Sequence, residues 1–298
     1  MPIAYLYKNK KILKTNKKAT LDNPIVKVVE YYIPKTLLGT DNAKTIKGEK
    51  KGITTHIMYV APASQNDFNV NLCTHASKGC KSACLFNSGT ARFTKVQLAK
   101  TNKSNYFVAD KKRYMMQLYN EIQKIVRLHD AVENGVTLGK KDNVIRYKDF
   151  AIRLNGSADI SFETIKVVDN KNIFELFPNV QFYDYTKKEN RMYTNASSNY
   201  HLTFSRSESN YKAVLRVLKS GGNVAVVFGI NKSKELPKEY LGYEVVNGDE
   251  TDLRFLDKTN VIVGVRYKNV VSVGNAIRNV TKFDSGFVVN VDELELTI

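Results

Sequence analysis

The sequence predicts an α/β chain on a parallel sheet, closed wholly or in part into a (β/α) barrel. Three observations lead there. Short β-branched and aromatic runs alternate with helical patterns along much of the chain, as in parallel strands joined by right-handed crossovers. Six or more such units follow one another, which favours a whole or partial barrel over a doubly wound sheet. No Gly-x-Gly-x-x-Gly turn follows any strand, so nothing marks a dinucleotide-binding sheet.

Residues 1–37 read as a basic N-terminal arm or early strand, with Lys8, Lys10, Lys11, Lys14, Lys17 and Lys18 crowding its start. Residues 38–298 read as one barrel-like domain. Residues 52–61 have the content of a buried strand, and Pro62 stops it. A helical pattern covers 92–107, with Phe93, Val96, Ala99 and Lys100 near one stripe. Asp110 then has the character of an N-cap for a longer helix carrying Tyr114, Leu118, Ile122, Ile125 and Val126, which Gly135 closes. That stripe is core. Beyond it the expected order is strand 151–155, helix 161–176, strand 180–185, a short helix or loop at 190–198, strand 200–205 and helix 209–220, ended by Gly221-Gly222. Strands at 223–228, 243–247 and 261–265 complete the series.

Composition bounds what such a chain can do. It has 298 residues, 43% hydrophobic and 25% charged, and no apolar run approaches the roughly 20 residues that span a bilayer. The start lacks a signal peptide's apolar stretch, so the expectation is a cytoplasmic protein with no membrane partner. A net charge of +17, from 46 Lys+Arg against 29 Asp+Glu, should attract polyanions and fits nucleic acid or a phosphorylated substrate. A composition rich in Lys, Asn and Ile, as in genomes poor in G and C, gives a competing account of that charge. Nothing in the pattern specifies an oligomeric state.

The three cysteines cannot all pair within one chain, and they fall together in Cys73-Thr-His-Ala-Ser-Lys-Gly-Cys80-Lys-Ser-Ala-Cys84. Thiolates so spaced can converge on one ion or cluster. If Cys80 opens a helix, Cys80 and Cys84 lie one turn apart on one face, while Cys73 folds back from the loop. Three thiols suit a 4Fe-4S cluster with one iron left open for a small molecule. Zinc is the alternative and would take His75 as its fourth ligand. The plainer reading is three small buried hydrophobes that happen to cluster. Position favours a metal: the segment follows the first barrel-like strand, where βα loops build active sites.

A barrel should carry its functional polar groups at the C-terminal ends of its strands, and such groups stand there. Asn155, Ser157 and Asp159 follow one strand, Asp184 to Lys187 end another, Ser205, Arg206 and Glu208 end a third, and Asp249 follows a later one. Taken singly, Asp159, Ser207 and Asp249 read equally well as turn or cap residues. Together they define Asp159, Lys187 and Glu208 as candidate catalytic residues, with Asn155, Ser157, Ser205, Arg206 and Asp249 as candidate cofactor-binding residues. Lys187 and Arg206 can hold a carboxylate or phosphate, and Asp159, Asp184 and Glu208 a sugar hydroxyl or cation. No Ser/His/Asp order, P-loop or His-Glu-x-x-His element is present.

Six segments carry a resemblance. Residues 41–49, the cysteine segment, Arg153-Leu-Asn-Gly-Ser-Ala-Asp159, residues 180–187, Tyr200-His-Leu-Thr-Phe-Ser-Arg-Ser-Glu208 and residues 248–255 together resemble the bacteriophage "gene product eighty-eight" family, over about residues 38–268. The resemblance implies a phage protein working in an infected bacterial host, without implying an activity. The Ala-Ser-x-Gly before Cys80 is also similar to the cysteine loop of another phage family with a radical-SAM-like barrel. The cysteine gaps are wider here than in the common radical-SAM motif, and no Gly-Gly-Glu follows a strand. The expectation is therefore a phage-encoded, radical-SAM-like iron-sulfur enzyme, with S-adenosylmethionine or a similar ligand on the open iron, acting on nucleic acid or a nucleotide. Its rival is a non-enzymatic, metal-stabilised nucleic-acid-binding protein of phage replication or host takeover. A third possibility is a phage protein that disables a bacterial defence by sequestering a nucleotide signal.

Overall fold

Period-2 patterning sorts the strands of this chain into two chemically different faces, and the three longest helices take only one of them. The computed structural model describes residues 5–8, 11–15, 26–40, 43–87, 89–136, 149–195, 197–231, 233–268 and 285–291. Lys10, Lys17 and Lys18 of the arm, and Asp41 and Asn42 of the first resembling segment, lie outside them. Strands β1 (Tyr5–Lys8), β2 (Lys11–Thr15) and β3 (Val26–Glu30) form a separate antiparallel sheet at the front.

The main sheet uses β4 (Leu38–Gly39), β5 (Thr54–Met58), β6 (Phe150–Arg153), β7 (Gln181–Thr186), β8 (Tyr200–Ser205), β9 (Val224–Phe228), β10 (Glu239–Tyr240), β11 (Tyr243–Asn247) and β12 (Ile262–Arg266). Its order is β10-β11-β12-β9-β8-β7-β6-β5-β4, parallel throughout except at the two edges. The helices are α1 (Ala43–Glu49), α2 (Lys78–Ser82), α3 (Thr94–Ala109), α4 (Lys111–Glu133), α5 (Ile173–Leu176), α6 (Arg191–Thr194) and α7 (Tyr211–Lys219).

From β5 to β9 the strands stand side by side in chain order, as in the arc of a barrel. The complete barrel does not form, however. The two-residue strands β4 and β10 pair antiparallel at opposite edges, so the sheet stays open among the described residues. Short edge strands of this kind also blunt pairing with other chains. β12, last in sequence, inserts between β9 and β11.

One face carries Met58, Ile152, Phe182 and Leu202 into a core with Tyr106, Tyr114, Leu118 and Ile122 of α3 and α4. The same face of β8, β9 and β12 packs Phe204, Val224, Val226 and Ile262 against Val214, Val217 and Leu218 of α7. Each of those three α7 side chains is fully buried and contributes about 1.5–3 kcal/mol. The opposite face is polar and aromatic. Ala151 and Tyr183 meet Leu253 and Phe255 there, and Arg153 meets Asp252, all three partners coming from the segment after β11.

Two expectations need correction. The helix expected over 161–176 is broken into a 3-10 turn at Phe162–Thr164 and α5, with a tight β-bridge from Val168 to Lys171 between them. Asp169 and Asn170 take left-handed backbone angles (φ 49° and 56°), and Asn172 then caps α5, so local side-chain bonding stops one continuous helix. The stripe expected along α3 is not its buried face: Phe93, its N-cap, is 54% exposed, Ala99 is exposed and Val96 half-buried, whereas Lys100, Asn102, Ser104 and Asn105 are buried. Those polar side chains bind the backbones of Tyr32, Ala61 and Asp67, whose polar groups need partners in the interior. Asp110 does cap α4 by accepting from Arg113 N, and Gly135 follows in the left-handed region (φ 77°).

Between β5 and α4, His56 and His129 share a buried hydrogen bond, Nε2 to Nε2 at 3.0 Å. Burial, aided by His129, lowers the His56 pKa from 6.5 to about 3. As pH falls below 6.5 the unfolded chain therefore takes up this proton first, and stability falls until about pH 3. Urea unfolding midpoints should drop steeply over that range, and less steeply in His56→Gln. Equal slopes in the two proteins would remove His56 as the cause.

Candidate functional site

Because β5 to β8 run parallel, the loops after them share one edge of the sheet. The loop after β5 brings Cys73, Cys80 and Cys84, the loop after β6 brings Asn155, Ser157 and Asp159, and the ends of β7 and β8 add Tyr185, Lys187 and Ser205. All of these line one cavity of about 170 Å³. Eight of the eleven residues singled out in the sequence thus meet in one place: Asn155, Ser157, Asp159, Lys187, Ser205 and the three cysteines.

The cysteine loop is held by ordinary local chemistry. Ser77 caps α2 by accepting from Cys80 N at 3.1 Å. The Glu208 carboxylate accepts from Ser77 Oγ at 2.7 Å and from Gly79 N at 2.8 Å, which ties the loop to the end of β8. Burial pushes the Glu208 carboxyl up, but these two donors outweigh it and hold the pKa below its ordinary value. Gly79 is required by close approach, since a Cβ there would lie 2.6 Å from Phe287 Cβ and 2.9 Å from Glu208 Oε2. Burial raises the Cys73 thiol to about 11, with Asp159, Cys84 and Cys80 adding to the rise, and burial also raises Cys84. The thiols are thus close enough to feel one another's charge. Among the described residues, no three His, Cys, Asp or Glu side chains are grouped as a ready ligand set. His75 is exposed and away from the cavity, its Nδ1 sharing a hydrogen bond with Thr74 Oγ1 at 3.0 Å.

Beneath the loops lies a buried polar network. Asp184 is fully buried and accepts from Asn155 N at 2.7 Å, Asn155 Nδ2 at 3.0 Å and the Tyr200 hydroxyl at 2.9 Å. Burial raises its pKa from 3.8 to about 6, against the lowering effect of Arg153 and these donors. Arg191 donates to Tyr200 Oη, to Asp159 at 2.6 Å and to both oxygens of Glu163. Asp159 also accepts from Thr186 Oγ1 and Lys187 N, so the carboxylate is committed to holding the β6 and β7 loops together. Lys187 Nζ donates to Ser205 Oγ at 2.7 Å.

Three of the singled-out residues lie outside the cavity lining. Glu208 grips the cysteine loop as described. Arg206 donates to the carbonyls of Gly286 and Phe287. Asp249 accepts from Arg266 N and Nη1 beyond β11. Arg153 and Tyr185, which stand among the polar strand-end groups in the sequence but carried no site role there, also line the cavity. Arg153 is buried beneath it with Nη1 on Asp252 at 2.6 Å and its guanidinium 4.7 Å from the Tyr185 ring centre. The available signal was a charged residue inside an otherwise apolar strand, Phe-Ala-Ile-Arg. Segment 285–291, which returns along β9 through the Phe228–Val289 bridge, left no pattern to read.

Fold and site together define a mostly parallel α/β protein with a three-thiol cavity at its strand ends. A family model described as Gene product 88 matches residues 36–286, and the chain belongs to that family, the phage family its motifs resemble. No curated protein and no solved structure matches it significantly. Among the described residues no helix is long and apolar enough to cross a membrane.

Removing Arg191 should show how much the site depends on this network. Arg191→Met leaves Asp159 and Glu163, both largely buried, without their cation, and should cost about 3–5 kcal/mol in urea unfolding. Arg191→Lys should recover little of that, because one ammonium cannot reproduce the planar fork. Wild-type stability in Arg191→Met would show the network to be incidental.

Proposed function

We propose that this chain is an iron-sulfur enzyme of radical-SAM-like architecture that acts on nucleic acid or a nucleotide in a phage-infected cell. One observation carries the reading: three thiols and a lysine line one cavity at the C-terminal edge of strands β5 to β8, which stand in barrel order. Cys73, Cys80 and Cys84 are three soft ligands of the kind such a centre takes, and their loop would have to draw them together to hold it. When bound, a 4Fe-4S cluster supplies one-electron chemistry to a molecule such as S-adenosylmethionine on that open position.

The chain's own residues do the rest. Ser77 and Glu208 fix the turn that presents Cys80, and the Asp159–Arg191 pair holds the opposing loops at a set spacing. Lys187 stands where a substrate group enters. The ends of β5 to β8 present the cavity, and the +17 charge of the chain draws a polyanion toward the protein. That same charge favours the rival reading, in which zinc only ties down the cysteine loop and the protein binds nucleic acid without chemistry.

Anaerobic purification followed by iron, sulfide and zinc analysis separates the two. About four irons and four sulfides per chain, absent from a triple Cys73→Ser, Cys80→Ser, Cys84→Ser variant, is the expected result. One zinc and no iron would hand the case to the rival, whose nucleic-acid affinity should then fall steeply with salt. No metal under any condition would overturn both.

A further inference from the structure

Among the described residues, one half-buried cation that lines the cavity forms no ion pair. Four charged side chains line the cavity: Lys81, Arg153, Asp159 and Lys187. Arg153 is paired with Asp252 at 2.6 Å and lies 3.9 Å from Asp184, and Asp159 is paired at 2.6 Å with Arg191, which Glu163 shares. Lys81 is exposed to solvent at the mouth. Lys187 is half-buried, and among the described residues no carboxylate comes within salt-bridge distance of its ammonium. Its neighbours are the neutral Ser205 hydroxyl at 2.7 Å, the Phe287 ring at 5.6 Å and the Cys84 thiol.

An ammonium carries three donors, and Ser205 occupies one. The nearby Asp159 oxygens are already taken by Thr186, Lys187 N and Arg191, and the Asn155 side chain is spent on Ile160 and Asp184. Among the described residues, the remaining Lys187 donors thus meet no carboxylate oxygen.

We infer that Lys187 and Ser205 form an oxyanion site, and that the cavity takes the phosphate end of a ligand whose remainder stays outside. The size argues for an end rather than a whole molecule. Pockets that enclose drug-sized ligands hold roughly 300–1,000 Å³, against about 170 Å³ here. The chemistry argues for phosphate over carboxylate. A phosphate monoester carries about −1.5 to −2 charge at pH 7 against −1 for a carboxylate, so the point charge of a lysine attracts it more strongly. The assignment deepens the proposed substrate class and shares its cavity, but it needs no metal.

The test is calorimetric titration of the purified protein with inorganic phosphate, adenosine monophosphate and acetate. Phosphate and the nucleotide should bind and acetate should not. Lys187→Met should weaken them at least tenfold, as expected for a lost charged hydrogen bond. Lys187→Arg should restore part of the affinity, and the exposed control Lys78→Met should leave it unchanged. The triple cysteine-to-serine variant should still bind phosphate, so failure of the cluster reading and failure of this one are separable. A second measurement uses the unaltered protein: acetic anhydride labelling with peptide mapping, in which phosphate should protect Lys187 selectively. Acetate binding as well as phosphate would replace the phosphate assignment with a general anion site. Equal phosphate affinity in Lys187→Met, or no protection of Lys187, would place binding elsewhere on the basic surface and overturn the inference.

Discussion

The constraint on which the rest depends is the burial of Asp184 at the centre of the sheet's C-terminal edge. A carboxylate removed from water is costly unless donors surround it. Asn155 and Tyr200 supply three, and Tyr200 is itself held by Arg191. Through that chain one buried acid fixes the backbone after β6, the end of β7 and the first turn of α6. The loops that carry Ser157, Asp159 and Lys187 therefore meet across the cavity in one geometry. Partly satisfied networks of this kind destabilise a core, and fully satisfied ones specify it.

The interior strands were readable because each is a short apolar run bounded by turn residues, and 151–155, 180–185, 200–205 and 223–228 each fall on a strand of the sheet. Strand order along the chain followed from the crossover rules. Closure did not, because it depends on the edges: β4 and β10 are two residues long and carry no periodicity to detect. The helix expected over 161–176 failed for a local reason, the Asp169-Asn170 turn, which composition alone does not separate from helix. α3 inverted the usual rule, burying asparagines to serve loop backbones far away in sequence.

The site was legible to the extent that strand ends share an edge. Knowing that Cys73, Asn155, Lys187 and Ser205 follow parallel strands was enough to bring them together. Which charges pair with which was not legible, since that depends on partners such as Asp252 and Arg191 whose positions come from packing. The roles of Arg206 and Glu208 stayed hidden for the same reason. Both spend their side chains on backbone groups far away in the sequence, Glu208 on Gly79 and Arg206 on Gly286 and Phe287.

Segment 285–291 has a consequence for the order of events during synthesis. Val289 exchanges backbone hydrogen bonds with Val227 and Gly229, Phe287 lies against Lys187, and Ser285 and Phe287 press on Gly79 of the cysteine loop. The earliest and latest parts of the site are separated by some two hundred residues of translation. A ribosome that has made every cysteine and every sheet strand has therefore not yet supplied the contacts that back the Gly79 turn and the Lys187 side chain, which arrive with this last stretch.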